Sequence, residues 1–410
     1  MSRPVIKTWL TPPPANPVKH VIIIGAGIAG ASTAYALAKR GIEVTVLDAA
    51  EAASGASGNH QGLLYAKITA ADTAQNQLLR LAFPFALSHL QHHFPDKAFW
   101  DDCGLFQWAF DDKEYQHQQK LLQSHYIAIE NWQNCTAQRS SIWQEQQGLW
   151  WPQGAWVSPP LWVQALLQHP NIHVHTHQKV HHFDWQHPQW QVHTNNDCFQ
   201  ASHLIICSGN HSDVFTQTQC LNLRRIRGQV AYADSHAAIH IPHAITGQHY
   251  LTPAFQNRHT FGASFVFNDE DIQFRVAEHQ HNLNGLQQLS PQLADVCATQ
   301  QIQGRASIRA DSIDHLPILG PLSDARAMQH TYAKLSQDKH YLIEAKCPYY
   351  PNLWINTAHG TRGMVTAPIC AESLARRLCQ ETDILPQPLQ DALHPNRLPI
   401  RQLIYGQSAF

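Results

Sequence analysis

Long apolar runs are missing from this chain: nothing in its 410 residues approaches the ~20 consecutive apolar side chains of a membrane span. The opening segment, MSRPVIKTWLTPPPANPVKH, lacks the apolar centre of a secretory signal. Cysteine is sparse, odd in number and scattered. Cys103, Cys135, Cys198, Cys207, Cys220, Cys297, Cys347, Cys370 and Cys379 form no CxxC pair, which argues against a disulfide framework and for reduced thiols in a cytoplasm. Charge is also thin, at 14% of residues and a net −2, so no global field marks a nucleic-acid partner, although a local basic patch would suffice for one. No internal repeat is present. What the chain has is apolar mass, 44% of residues, enough for a large core and, by length, two or three domains.

Histidine is the other excess. The 29 histidines spread beside many glutamines and cluster only in NIHVHTHQKVHH, Asn171 to His182. There His173, His175 and His177 alternate as on one strand face, and a solvated face rather than a metal site is expected.

The proline-rich residues 1–19, with Pro12, Pro13, Pro14 and Pro17, read as a tether or extended arm. Next comes VIIIGAGIAGASTAYALAKRGIEVTVLD: an apolar strand Val21–Ile24, a glycine turn, an alanine- and leucine-rich helix ending at Gly41, and a strand Val44–Leu47 closing in Asp48. Pro159 to His169 reads as a helix, and His203 to Ser212 as a strand entering a glycine turn. GQVAYAD, HYLTPAF and HTFGASFVF read as consecutive antiparallel strands, VAEHQHNLNGLQQL as a helix. Ala358 to Gln380 is a glycine turn running into a long helix. The fold class is therefore α/β: a Rossmann-like nucleotide-binding domain interrupted by an α+β domain built on an antiparallel sheet. The expected boundaries are 20–85, 155–215 and 305–405 for the first and 86–154 with 216–304 for the second.

Gly25, Gly27 and Gly30 form GxGxxG between strand and helix. These are the positions for a tight turn, for backbone approach to a pyrophosphate, and for close helix packing. The helix N-terminus offers amides to the phosphates, and Asp48 suits a ribose hydroxyl pair. Two further features favour FAD over a nicotinamide. SGASGNHQG, Ser54 to Gly62, is a small-residue loop that lets a broad flat ring pass. HGTRGM, His359 to Met364, opens a second helix whose N-terminus can face the ring edge that gains negative charge on reduction.

In RASIRADSIDHLPILG, Arg309 precedes a buried turn and strand, and a guanidinium there needs an anion. Asp311 or Asp314 would make it structural; a substrate carboxylate would make it functional.

Taken together, SGASGNHQGLLY, DDCGLFQW, RRIRGQV, HYLTPAF with HTFGAS, RASIRADSIDHLPILG, HGTRGMVTAPICAESLA and LHPNRLPIRQL resemble the D-amino-acid-oxidase-like flavoproteins, which include glycine and sarcosine oxidases. The likeness is strongest to the FAD-dependent half of bifunctional enzymes that modify the tRNA wobble uridine. It runs from about Val21 to the end, with His60 where an arginine is usual and Ala66-Lys67 where a proline is usual.

The resemblance implies non-covalent FAD, since no cysteine stands in IRADSIDHLP where related sarcosine oxidases attach theirs. Its implied contacts are Gly25, Ala26, Gly27, Ile28, Gly30, Asp48, Ser57, Gly58, Asn59, Gln61, Gly62, Val180, Gly209, Gly360, Thr361, Arg362, Gly363 and Met364. Arg309 is implied as carboxylate clamp and Tyr250 as the hydroxyl beside the substrate; core packing is the plain alternative for Tyr250. Lesser candidates from the residues themselves are Arg362, which lies in the flavin loop and can offset charge at the reduced ring, Lys67, which can polarise oxygen or contact a phosphate although an exposed lysine is the commoner case, and His315, which can cap a turn. The implied reaction removes the carboxymethyl group of 5-carboxymethylaminomethyluridine at the wobble position, leaving aminomethyluridine and glyoxylate. The implied partners are the tRNA anticodon loop, held through Arg224, Arg225, Arg227, Arg397 and Arg401, and a methyltransferase acting next. The competing readings are an oxidase of free glycine or sarcosine, a non-catalytic flavin-binding module, and a nicotinamide dehydrogenase.

Overall fold

The computed structural model describes residues 7–11, 13, 16–135, 143 and 145–406. Two sheets carry the architecture. The first has six strands in the order Ile318–Ser323, Tyr349–Thr357, His203–Ile206, His20–Ile24, Glu43–Leu47 and Ile172–His175. Its pairings are parallel except for the first, so the expected βαβ core stands, closed by one antiparallel edge strand. The run of isoleucines in His20–Ile24 is apolar on both faces because both faces are covered. Val21 and Ile23 pack with Ala31, Ala34 and Leu37 of helix Ile28–Ala38 and with helix Gly363–Leu378. Ile22 and Ile24 meet Phe183, Trp190 and Val192 of a three-stranded antiparallel sheet, which the sequence reading did not resolve.

The second sheet has nine strands. Val266–Phe267, Arg224–Asp234, Arg258–Gly262, Tyr250–Leu251, Ala244–Thr246, Leu105–Trp108, Gly148–Trp151 and Glu130–Asn131 follow in order, and Gln303–Asp311 pairs with Arg224–Asp234. One face is covered by helices Val276–Leu289 and Pro291–Ala298, over a core of Phe106, Trp132, Trp150, Phe261 and Leu286. The opposite face looks toward the glycine loops.

Three expectations change. Strand Gln303–Asp311 pairs with Arg224 through Tyr232, so a boundary at 305 cuts through a strand of the antiparallel sheet. A boundary at 85 likewise falls inside helix Ala74–His93, whose Leu78, Ala82 and Leu90 share one core with helix Gly363–Leu378. The segment HTFGASFVF is two strands, Arg258–Gly262 and Val266–Phe267, and in HYLTPAF the strand is short, Tyr250–Leu251, with Phe255 adding an isolated bridge to Arg258.

The proline-rich arm is partly outside the described residues, at 1–6, 12, 14 and 15. Thr8–Leu10 is not a free tether. Trp9 stands edge-on to Tyr332 at 5.5 Å, and its carbonyl accepts from Asn396 Nδ2 at 2.8 Å. An indole and a short turn found a surface to bury against, which overrides the extended bias of the prolines. Cys207, Cys220, Cys297 and Cys370 are buried thiols outside any disulfide, and no helix among the described residues is long and apolar enough to cross a membrane.

Candidate active site

The first glycine turn is shaped by contact rather than by flexibility. Gly25 has φ +105°, and a Cβ there would stand 2.6 Å from the Cys207 carbonyl oxygen; one at Gly30 would collide with the Gly25 carbonyl. Strand end, turn and helix are thus pressed together, and the free amides of helix Ile28–Ala38 point out of the turn. A Cβ at Gly27 would meet Ser57 Oγ at 3.2 Å, and that oxygen accepts from Ile28 N at 3.0 Å. Asp48 accepts from Ala26 N at 2.6 Å and from Ala50 N at 2.9 Å, while burial pushes its carboxyl above the ordinary range. A carboxylate has about four acceptor positions, so it can hold the turn and still take ribose hydroxyls. Val180 packs with Ile24 and Leu47, the ends of the two strands flanking the turn. Gly209, at φ +55°, follows Cys207 and Ser208, which crowd Gly25.

The second turn meets the first. A Cβ on Gly363 would touch Ile28 at 3.4 Å, so two helices from opposite ends of the chain begin side by side. Gly360 has φ +57° and sits against the Asp311 carboxylate. His359 bridges Thr366 Oγ1 at 2.8 Å and Asn356 Oδ1 at 3.0 Å, and Asn356 Nδ2 donates to Thr33 Oγ1 at 3.0 Å. Burial lowers the His359 pKa to about 4, so this tie is a neutral imidazole. The Met364 thioether end occupies the space where a Gly62 side chain would begin. Thr361 is exposed. Arg362 is held below its ordinary pKa by burial, with Tyr65 and Asp311 as the nearest opposing groups.

The small-residue loop is clamped from the antiparallel sheet. Arg305 donates to the carbonyls of Ser54 and Gly55 (the latter at 2.6 Å) and to Asn59 Oδ1 at 3.3 Å; a Cβ on Gly58 would stand 2.6 Å from its Cζ. Gln61 is fully buried, donates to the Pro253 carbonyl at 3.0 Å and accepts from Thr252 Oγ1 at 2.9 Å. His60 contacts the Phe255 carbonyl at 3.0 Å. The sequence reading missed Arg305. Its spacing of four from Arg309 on an extended segment was the available signal, since positions four apart on a strand share a face.

Arg309 points onto that same face. It pairs with Ile226, and its guanidinium lies over Gly228, where an added Cβ would be 2.6 Å from Cζ. Among the described residues no carboxylate lies within salt-bridge distance of it. The two that might have claimed it are engaged elsewhere. Asp311 takes His315 Nδ1 at 2.5 Å and Ser312 N at 3.0 Å; Asp314 takes Arg397 through two contacts of 2.9 Å. Burial lowers the Arg309 pKa, with the Tyr250 hydroxyl as the opposing group. Burial raises that phenol well above its ordinary value, against the pull of Arg309, so Tyr250 stays protonated. Its hydroxyl has no hydrogen-bond partner among the described residues. Tyr250 pairs with Gly262, Gly262 with Val230 and Val230 with Arg305, so these residues form one row on one face. Gly228 leaves room for the guanidinium to lie across the strand, whereas a Cβ on Gly262 would meet Asn282 of the helix-covered face. A cation and a hydroxyl donor on one face, without a protein partner among the described residues, can bind a carboxylate.

Several expected residues go elsewhere. Arg227 is fully buried on the helix-covered face and pairs with Glu278 at 2.9 Å; Arg225 pairs with Asp213 at 2.7 Å; Arg397 pairs with Asp314. These three are structural, not phosphate contacts. Arg224 retains no salt bridge among the described residues, Arg401 lies over Tyr405 at 6.0 Å, and Lys67 is exposed. His173 and His177 pair separately with Glu43 and Glu51, and His175 packs on Phe199, so that alternating trio does not converge. His182, Asp184 and His193 do lie within ligand reach of one another.

Residues 20–377 match the FAD dependent oxidoreductase family. The chain is 38% identical over 406 residues to the tRNA 5-methylaminomethyl-2-thiouridine biosynthesis bifunctional protein MnmC of Pseudomonas putida, covering 95% of this chain and 61% of that protein. It is 37% identical over 417 residues to the MnmC of Pseudomonas syringae pv. tomato, covering 99% and 63%. The chain therefore spans about three fifths of the length of these curated relatives. Glycine oxidase from Geobacillus kaustophilus shares the fold with a TM-score of 0.72 at 17% identity, over 91% of this chain and 98% of that one.

Proposed function

The chain belongs to the FAD-dependent oxidoreductase family, and from that premise we propose that it oxidises an N-substituted glycine carried on RNA. The substrate is the 5-carboxymethylaminomethyl group of a wobble uridine in the tRNA anticodon loop, and the products are aminomethyluridine and glyoxylate. What supports this reading is the Arg309 guanidinium, laid over Gly228 on the same face as Tyr250, with no carboxylate within salt-bridge distance among the described residues. The kinship to MnmC proteins supports RNA over a free amino acid as the bearer of the group.

The residues present fit FAD. The close-packed glycine turn, the Asp48 carboxylate and the paired helix starts suit its pyrophosphate, ribose and ring. Bound there, FAD supplies a two-electron acceptor for hydride. The protein's own part is orientation and electrostatics. The Arg309 fork receives the carboxylate through parallel N–H donors. The Tyr250 phenol donates to the same carboxylate or accepts from the amine N–H. With the carboxylate fixed and the amine neutral, the glycine methylene loses hydride, the C–N bond becomes an imine, and water releases glyoxylate. Arg305 and Gln61 hold the loop that frames the ring.

The primary amine left on the nucleoside is a methyl acceptor, so a methyltransferase acting next is the expected partner, in the cytoplasm where tRNA is modified. The test is to incubate the holoprotein with tRNA carrying the mark, digest it and separate the nucleosides, offering free glycine and sarcosine in parallel. The mark should shorten to aminomethyl, and the free amino acids should react poorly. Arg309→Met should bind FAD normally and lose the conversion; parental conversion by that variant would remove the carboxylate assignment. Preferential turnover of free glycine would instead place this enzyme among amino-acid oxidases.

A further inference from the structure

Phe265 and Phe267 are half exposed, at 50% and 53%, and their rings meet edge-on at 5.0 Å. Two exposed phenylalanines on an edge strand are a solubility cost unless something covers them. Their position in the sheet says what that is. Ile226 pairs with Phe267 on one side and with Arg309 on the other, so Arg309, Ile226 and Phe267 form one row on one face. The adjoining residue Ser264 donates its N–H to the Gln229 carbonyl at 3.1 Å. Phe265 is thereby set across from Gly228, the residue over which the Arg309 guanidinium lies. Adjacent strands are ~4.8 Å apart, so Phe265 stands about one strand spacing from the guanidinium over Gly228, and Phe267 lies two residues further along the same segment.

The substrate proposed above reaches across the shorter of these distances, to Phe265. From its carboxylate carbon to the pyrimidine ring there are four single bonds, about 5 Å when extended. We propose that Phe265 and Phe267 form a stacking platform for an unpaired nucleobase of the RNA, namely the base bearing the reacting group or its immediate neighbour. The inference rests on the function proposed above and deepens it. Aromatic faces take any base, and stacking contributes about 1–3 kcal/mol per base. At the adjoining rim Asp269 and Asp271 pair with Arg275, and Glu270 with Arg225, while Arg224, two residues from Ile226 on its strand, keeps no salt bridge among the described residues and is placed to meet the phosphate beside a stacked base.

The experiment compares the holoprotein with Phe265→Ala, Phe267→Ala and Phe265→Trp. Each is assayed on an anticodon stem-loop carrying carboxymethylaminomethyluridine and on sarcosine, which has the carboxylate and no base. The alanine variants should raise KM for the RNA roughly tenfold or more. Their RNA-to-sarcosine ratio of kcat/KM should fall by about as much, and Phe265→Trp should restore it. An alanine variant with parental RNA KM overturns the platform and leaves the patch to a protein partner. Equal losses on both substrates, or no rescue by tryptophan, overturn it as a mere packing effect. If the unsubstituted protein leaves the RNA mark intact, the function itself falls, and that is seen before any variant is made.

Discussion

Gly228→Ala is the sharpest test of the clamp, because it disturbs Arg309 without touching it. The added methyl would collide with Nη1 and stand 2.6 Å from Cζ of that guanidinium, and nothing else lies closer than these atoms. The position needs no left-handed backbone, so alanine enters the strand without strain. A guanidinium is the far end of a flexible chain and moves aside cheaply. Fold and flavin binding should therefore survive, and loss of glycine's unfolded-state freedom should even add ~0.5–1 kcal/mol of stability. Catalysis should not survive intact. Hydrogen bonds to charged groups contribute ~1.5–3 kcal/mol each, so misplacing a two-pronged fork should cost about 3 kcal/mol, a loss of ~10²-fold in kcat/KM. The assay is steady-state turnover on the marked RNA and on sarcosine, with Tm and flavin absorbance as controls. Turnover within twofold of parental, with Tm unchanged, would show that the guanidinium does not work from where it lies.

Arg305→Met should leave the exposed Ser54 and Gly55 carbonyls to water, loosen the loop, and weaken FAD binding roughly tenfold by titration of the apoprotein; an unchanged Kd would remove Arg305 from the loop's support. Acid should destabilise the protein well before its carboxylates titrate. Burial lowers His359, His203 and His243 to about 4 and His89 to about 3, all below the ordinary 6.5. The unfolded chain thus binds more protons in that window, so this stability is complete above pH 6.5 and is lost as pH falls toward 4. Four such groups give a slope of up to ~5 kcal/mol per pH unit in mid-window. Urea midpoints at pH 7, 6 and 5 measure it, and a flat series would show these rings are protonated in the fold.

The nucleotide half was legible in the chain itself because its constraints are local. Gly25, Gly27 and Gly30 are required by contacts within one strand-turn-helix, and Asp48 follows at the end of the next strand. A single pass along the residues contains all of that. The roles of the arginines were not legible. Arg227 and Arg309 stand on paired strands, one register step apart, with similar neighbours in sequence. Arg227 projects to the face under helix Val276–Leu289 and is consumed by Glu278, whereas Arg309 projects to the opposite face and meets no carboxylate among the described residues. Which face each takes follows from strand alternation and register, and whether a carboxylate waits there depends on a helix about fifty residues away. Local sterics wrote the cofactor turn into the sequence; only the stacking of sheet, helix and loop decided which cation was left free to act.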